Sequence, residues 1–304
     1  MLLGGMEHGE EVLNQPASQK GRKTIAGYIE DRIRSPYVST RTGTNFLTHV
    51  STFNGHAPAN LYLVAGDEEL EIQSSRVSNA TAPGPTDAWR IVHGWISDMV
   101  EDVRTAWDDE DLTVFIDCNP SFTIYTELAM SASDRLIIPF TADGSSKRAV
   151  RAVLALLYGV TRTAGSQQSE FHINSERFRL TVPKIYCYVG NRLTQANQAS
   201  AKAFRAVVNA IGEEIWSAWR AKPNAFHIHP TGAGAPSGKK DFRNMFQAEI
   251  CDANSASVVS SALGIPISRL TPGNKVVNGR TIYVNETQLD RQQPNLRELV
   301  GTIE

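Results

Sequence analysis

Asp117 is the residue best placed to do chemistry. It follows the apolar run Leu112-Thr-Val-Phe-Ile116 and precedes Cys118-Asn119-Pro120-Ser121. That run reads as a buried strand, and in an open parallel sheet ligands sit outside the carboxyl ends of strands. A carboxylate there can hold a magnesium ion, directly or through water, while Pro120 and Ser121 turn the chain into a helix. The plain alternative is a strand-end aspartate capping its own turn. On this residue alone the two readings stand level.

Other reactive types are less well organised. Gly232-Ala-Gly-Ala-Pro-Ser-Gly238-Lys239-Lys240 has the look of a phosphate loop, but position 233 is alanine where the pattern needs glycine. Position 240 is lysine where magnesium needs Ser or Thr, so the segment reads as a flexible basic loop. His227 and His229 share one side of a short strand without a third ligand, which reads as strand-end histidines rather than zinc. Cys118, Cys187 and Cys251 have no pairing or metal spacing, pointing to a reducing compartment. Cys118 reads as a small buried side chain, not a nucleophile. Lys202, Arg205, Lys239, Lys240, Arg243, Lys275 and Arg280 fit a basic surface for non-specific DNA, and fit a solvated face equally well.

The elements that position these residues alternate between strand and helix. Ile25, Ile29 and Ile33 predict a helix stopped by Ser35-Pro36, and 40–59 reads as a long loop. Asn60–Ala65 is a strand entering a turn. Thr86 caps one helix through Trp107, and Ser121 caps another to about Ser131. Arg135–Ile138 is a strand closed by Pro139, and Ser145 or Ser146 opens the next helix. Val182–Val189 is a strand, Ala199–Trp219 a helix, and Phe226–Ile228 a short strand. The tail holds a helix near 242–263 with a break, a hairpin at 273–284 and a final helix to Ile303. The tryptophans at 95, 107, 216 and 219 follow helical spacing and read as core. Continuous apolar strands between amphipathic helices predict one α/β domain, a mostly parallel sheet covered by helices on both faces.

Composition bounds the function. The 304 residues carry 30 basic and 32 acidic side chains, so the net charge of −2 argues against a dedicated nucleic-acid coat. The longest apolar stretch, 149–160, contains Arg151 and is too short to span a bilayer. A soluble, cytoplasmic protein is expected.

The passage 112–150 resembles the ParA-type partition ATPases of the deviant P-loop superfamily. In them an apolar strand ends in Asp-Cys-Pro-Pro-Ser; a helix follows, then a strand ending in Ile-Pro and another helix. The matching residues are Asp117, Cys118, Asn119, Pro120, Ser121, Ala132, Asp134 and Pro139, with Asn119 in place of the commoner proline. Asn60–Gly66 is similar to the family strand before its variable helix. Val182 through Arg192 is similar to the strand whose Asn-Arg lies beside adenine, and 284–290 to the closing helix. The likeness covers nearly the whole chain. It implies ATP and magnesium as cofactors, with Asp117 as the magnesium-linked catalytic carboxylate, Asn191 as the adenine contact and Arg192 flanking the base. It also implies a homodimer, non-specific DNA binding, a ParB-like centromere-binding partner and no membrane.

The family's opening strand, its K-G-G-x-G-K-[ST] loop and its D-x-D-P-Q strand do not occur in this sequence. Met1-Leu-Leu-Gly-Gly5 resembles the stretch just after D-x-D-P-Q, so the chain is expected to start about 30 to 40 residues late, one βαβ unit. A chain without that loop is expected to be inactive as an ATPase. The alternative expectation is a non-catalytic ParA-like interaction or DNA-binding module. A division-site positioning ATPase is disfavoured, because 287–304 lacks a basic amphipathic membrane helix.

Overall fold

The helix expected from the isoleucine spacing forms as Ile25–Arg34 (α2), after a short Met6–Leu13 helix (α1). Thr24 begins α2 by accepting the Gly27 N–H at 3.2 Å. A computed structural model describes residues 2–15, 22–82, 84–108, 111–118, 122–141, 143–161, 167–193 and 198–303. Two compact units result: Met1–Ser133 with Val259–Pro266, and Asp134–Val258 with Ile267–Glu304.

In the first unit the loop expected at 40–59 contains Thr48–His49 (β1), which pairs antiparallel with Tyr62–Leu63 (β2). The strand expected over Asn60–Ala65 therefore shrinks to two residues. Glu69–Ala80 (α3) follows. The single helix expected after Thr86 is two, Ala88–His93 (α4) and Trp95–Ala106 (α5), parted at Gly94, and the residue before α4 is Asp87 rather than Thr86. Ile124–Ser131 (α6) begins after Thr123; Asn119, Pro120 and Ser121 lie outside the described residues. Tyr28, Ile29, Val77, Val92, Trp95 and Leu128 close the core between these helices. Arg32 is buried in it, bonded to Asp98 at 2.6 Å, with its guanidinium 5.5 Å over the Trp95 ring. His93 is equally buried: its Nδ1–H donates to the Trp89 carbonyl at 2.8 Å, and Nε2 meets Glu127 at 3.2 Å. These polar anchors tie α2 to α5 and α4 to α6, because a buried charged group is tolerated only with a partner.

One expectation fails in this unit. Leu112–Ile116 is not a buried strand: residues 111–118 are irregular, and Phe115 is 75% exposed. An apolar run becomes a buried strand only when neighbours take its backbone bonds and cover its side chains. No strand of the described residues pairs with it.

The second unit holds the parallel sheet. Arg135–Phe140 (β3) leads into Gly144–Tyr158 (α7) and Glu170–Phe178 (α8). Lys184–Leu193 (β4) leads into Gln198–Ala221 (α9), Lys239–Phe246 (α10) and Gln247–Cys251 (β5). The strand order is β3-β4-β5, every pair parallel, with Arg135 opposite Lys184 and Tyr188 opposite Gln247. The break expected inside 242–263 is thus a strand, followed by Asn254–Leu263 (α11). Phe226–Ile228 is reduced to one bridge, Ile185 with Phe226. The expected hairpin forms as Gly273–Val277 (β6) and Arg280–Val284 (β7), and Glu286–Ile303 (α12) closes the chain.

Two devices lock this unit. The outer edge of β5 is closed by an amide side chain: Asn295 of α12 donates to the Glu249 carbonyl at 2.7 Å and accepts from the Cys251 N–H at 2.9 Å. Asn295 thus substitutes for a fourth strand. Adjacent glutamates on α9 then clamp two helices. Glu214 takes Lys147 at 3.3 Å and Arg151, both from α7, while Glu213 takes Lys239 and Arg243 at 3.3 Å, both from α10. The Arg151 bond comes first among the causes that hold the Glu214 carboxyl down at about 2, from an ordinary 4.5.

Asn295→Ala leaves a backbone donor and acceptor of β5 unpaired, and is expected to cost about 1 to 3 kcal/mol in urea unfolding; an unchanged midpoint would show the edge to be solvated instead. The Glu214 clamp has a defined pH window. Its carboxyl is depressed in the folded state, so its stabilisation is complete above pH 4.5 and drains away as pH falls toward 2. Stability of Glu214→Gln should therefore fall less steeply than that of the parent chain between those values.

Candidate functional site

Parallel pairing puts the carboxyl ends of β3, β4 and β5 on one edge of the sheet, where open α/β sheets bind ligands. Phe140 ends β3 and pairs with Gly190, so Asn191 and Arg192 emerge one step beyond the last β3 partner. The pairing of β4 with β5 shifts register between Gly190 and Leu193, which leaves Asn191 and Arg192 inside an irregularity at the edge. Asn191 is half-buried there. Asp252 follows β5 and accepts the Asn254 N–H at 3.2 Å.

The best-built feature of this edge is one that sequence reasoning credited to the wrong residue. Asp143, not Ser145 or Ser146, begins α7. Its carboxylate accepts the Ser145 N–H at 2.9 Å, the Ser146 N–H at 2.8 Å, the Ser145 hydroxyl at 2.6 Å and the Thr141 hydroxyl. The hydroxyls of Ser145 and Thr141 and the Ser146 N–H hold the carboxyl well below the ordinary aspartate range. The signal was available: Asp followed by Gly-Ser-Ser is a helix start. Chemically, the cap already fills the backbone donors an incoming phosphate would use at this helix.

Asp117 belongs to the first unit, exposed and in irregular chain, one residue after Ile116. Asn191 and Arg192 belong to the second. Cys118 is half-buried, and burial followed by the neighbouring Asp117 charge pushes its thiol up, so it is a poor nucleophile. Among the described residues no three His, Cys, Asp or Glu side chains cluster to hold a metal ion. Magnesium commonly takes one or two carboxylates plus phosphate oxygens and water, so Asp117 alone suits it only alongside a bound nucleotide. The residues of this chain do not by themselves fit ATP: no K-G-G-x-G-K-[ST] loop occurs in them, and the helix start beside β3 is occupied by Asp143.

The remaining candidates resolve into structure. His229 donates from Nε2 to the Tyr186 carbonyl at 2.9 Å, and both His229 and His227 stack on the Tyr186 ring, at 4.1 and 5.6 Å. Trp95 and Trp219 are buried, and Trp216 packs edge-on against Phe242. Of the basic residues, Lys239 and Arg243 are engaged by Glu213, and Arg205 by Glu249 at 3.1 Å. No helix of the described residues is long and apolar enough to cross a membrane. Compared with protein-family models, curated proteins and solved structures, the chain matches none.

Asp143→Ala should lower the melting temperature and increase proteolysis between Thr141 and Lys147, whereas Asp143→Ser, a competent cap, should restore most of both. Equal behaviour of the two variants would mean that the cap is not what orders this edge.

Proposed function

We propose that this chain is a ParA-like protein of plasmid or chromosome partitioning. The observation that supports the reading most is the parallel order β3-β4-β5, with Asn191-Arg192 near the carboxyl end of β4, beyond its last β3 partner. In this reading Asn191 is the adenine contact, Arg192 flanks the base and Asp117 is the magnesium-side carboxylate. The protein acts as a homodimer on non-specific DNA, and a ParB-like centromere-binding protein stimulates it. ATP hydrolysis in that family depends on a phosphate cradle, which these residues lack, so catalysis requires the cradle to come from outside them. The exposed, irregular setting of Asp117 favours a second reading, a non-catalytic ParA-like interaction or DNA-binding module.

Calorimetric titration of the 304 residues with ATP and magnesium should show no saturable binding in the millimolar range or tighter, since phosphate affinity comes mostly from the cradle. Micromolar affinity would overturn that. Joined in frame to a K-G-G-x-G-K-[ST] segment, the chain should bind ATP; failure to do so leaves the non-catalytic reading. In the joined chain Asp117→Ala should lower stimulated turnover at least about tenfold with a smaller change in affinity. Asn191→Ala should weaken binding more than turnover. Normal hydrolysis by Asp117→Ala reduces that residue to a turn cap.

A further inference from the structure

The amino edge of the same sheet, opposite the edge that carries Asn191, holds a cavity of about 390 Å³. Its floor is Val182-Pro183, where the chain enters β4. One wall is the end of α7 and the flank of α8, through Leu157, Tyr158, His172 and Glu176. The other is the end of α9 and the turn after it, from Ala221 to Ala225. The volume lies in the range of small-molecule sites, about 300 to 1,000 Å³.

The walls are fixed without any ligand. Tyr158 donates to the Pro183 carbonyl at 2.7 Å, which pins the floor to α7. His172, 6% exposed, donates from Nδ1 to the Leu157 carbonyl at 3.1 Å. Gly159 ends α7 in the left-handed region, and any side chain there would meet the His172 ring at 2.5 Å. A cavity with such walls loses little ordering entropy on binding.

Its charge selects the ligand. Lys184 and Lys222 stand at the exposed rim with one carboxylate, Glu176, and none of the three makes an ion pair among the described residues. Arg135, opposite Lys184 in the β3–β4 register, adds a further positive charge on that side. Two helix carbonyl ends face the cavity and would each attract a cation; Lys222, directly after the last residue of α9, supplies that charge at one, and the α7 end is already occupied. The carbonyls of Ala155, Leu156 and Leu157 accept from the Gly159 N–H, the Ser169 hydroxyl and His172, at 3.1, 2.9 and 3.1 Å. Val182, Pro223 and Ala225 supply apolar surface behind the rim, with Leu157 and Pro183 buried beneath it.

We propose that this cavity binds a small amphipathic carboxylate, its apolar body against Val182, Pro223 and Ala225 and its anionic head between Lys184 and Lys222. The proposal is independent of the nucleotide reading, because it uses the opposite edge of the sheet and no residue of that site.

The probe is the fluorescent anion anilinonaphthalene sulfonate, titrated at low salt and displaced by octanoate or by octylamine. One saturable site is expected, displaced by octanoate and not by octylamine. Lys184→Gln with Lys222→Gln should weaken it about tenfold or more, the scale of one lost charge-assisted contact. Both lysines are exposed, so that variant keeps the fold. Ala225→Leu, a second and independent lesion, should abolish binding by filling the cavity. Displacement by octylamine as effective as by octanoate, or affinity indifferent to both lesions, overturns the proposal. So does the absence of saturable binding below about 1 mM, or binding removed by Phe115→Ser alone.

Discussion

The second unit depends on one constraint: β4 must be hydrogen-bonded on both edges because it is buried on both faces. Ile185, Cys187 and Tyr188 are fully buried, and Val189 nearly so. Every backbone group along such a strand has to find a protein partner. β3 supplies one side; on the other, Phe226-His227 pairs at Ile185 and β5 from Tyr188 onward. Much else follows from that demand. Helices must cover both faces, β5 needs its own outer edge closed, and Asn295 closes it. Burial also drives the Cys187 thiol up to about 11, so this cysteine is packing material rather than chemistry.

The parts of this arrangement that were legible in the sequence are those governed by local pattern. Arg135–Ile138 and Val182–Val189 are continuous apolar runs, and they form β3 and β4. Asn278-Gly279 between two alternating runs marks the hairpin, and both residues have the positive φ such a turn requires. The 3.6-residue spacing from Phe204 to Trp219 marks α9. β5 was not legible: Gln247-Ala-Glu-Ile-Cys251 is short, polar at alternate positions and half-buried throughout, so it reads as a pause between helices. Leu112–Ile116 failed in the opposite direction. Its residues are strand-like, but being a strand is a property of a pair of segments, and composition cannot report whether a neighbour is there.

The candidate site divides the same way. Asn191 and Arg192 could be placed at a strand end from the apolar run before them. The basic residues could not be sorted into solvated and engaged, because their glutamate partners lie 26 to 67 positions away along the chain. Glu213 and Glu214 illustrate the point. As neighbours in sequence they look like one acidic step on a helix face. In space they diverge by the turn of the helix, and each holds two cations from a different neighbour. Rotation of α9 by one residue would exchange α7's partner for α10's, so the pair keys the helix to a single angular setting.

The exposed run at Leu112–Ile116 has a consequence for how the protein behaves in bulk solution. A strand-like run of five residues without proline, exposed at Thr113, Val114 and Phe115, is the kind of segment that seeds cross-β stacking between molecules. Here that tendency is opposed by what surrounds it: Asp108, Asp109, Glu110 and Asp111 on one side and Asp117 on the other. Stacking two copies in register would bring these carboxylates together, and antiparallel pairing centred on Val114 would set Asp111 against Asp117. The acidic flanks therefore act as gatekeepers, and the colloidal lifetime of this chain rests on their remaining ionised.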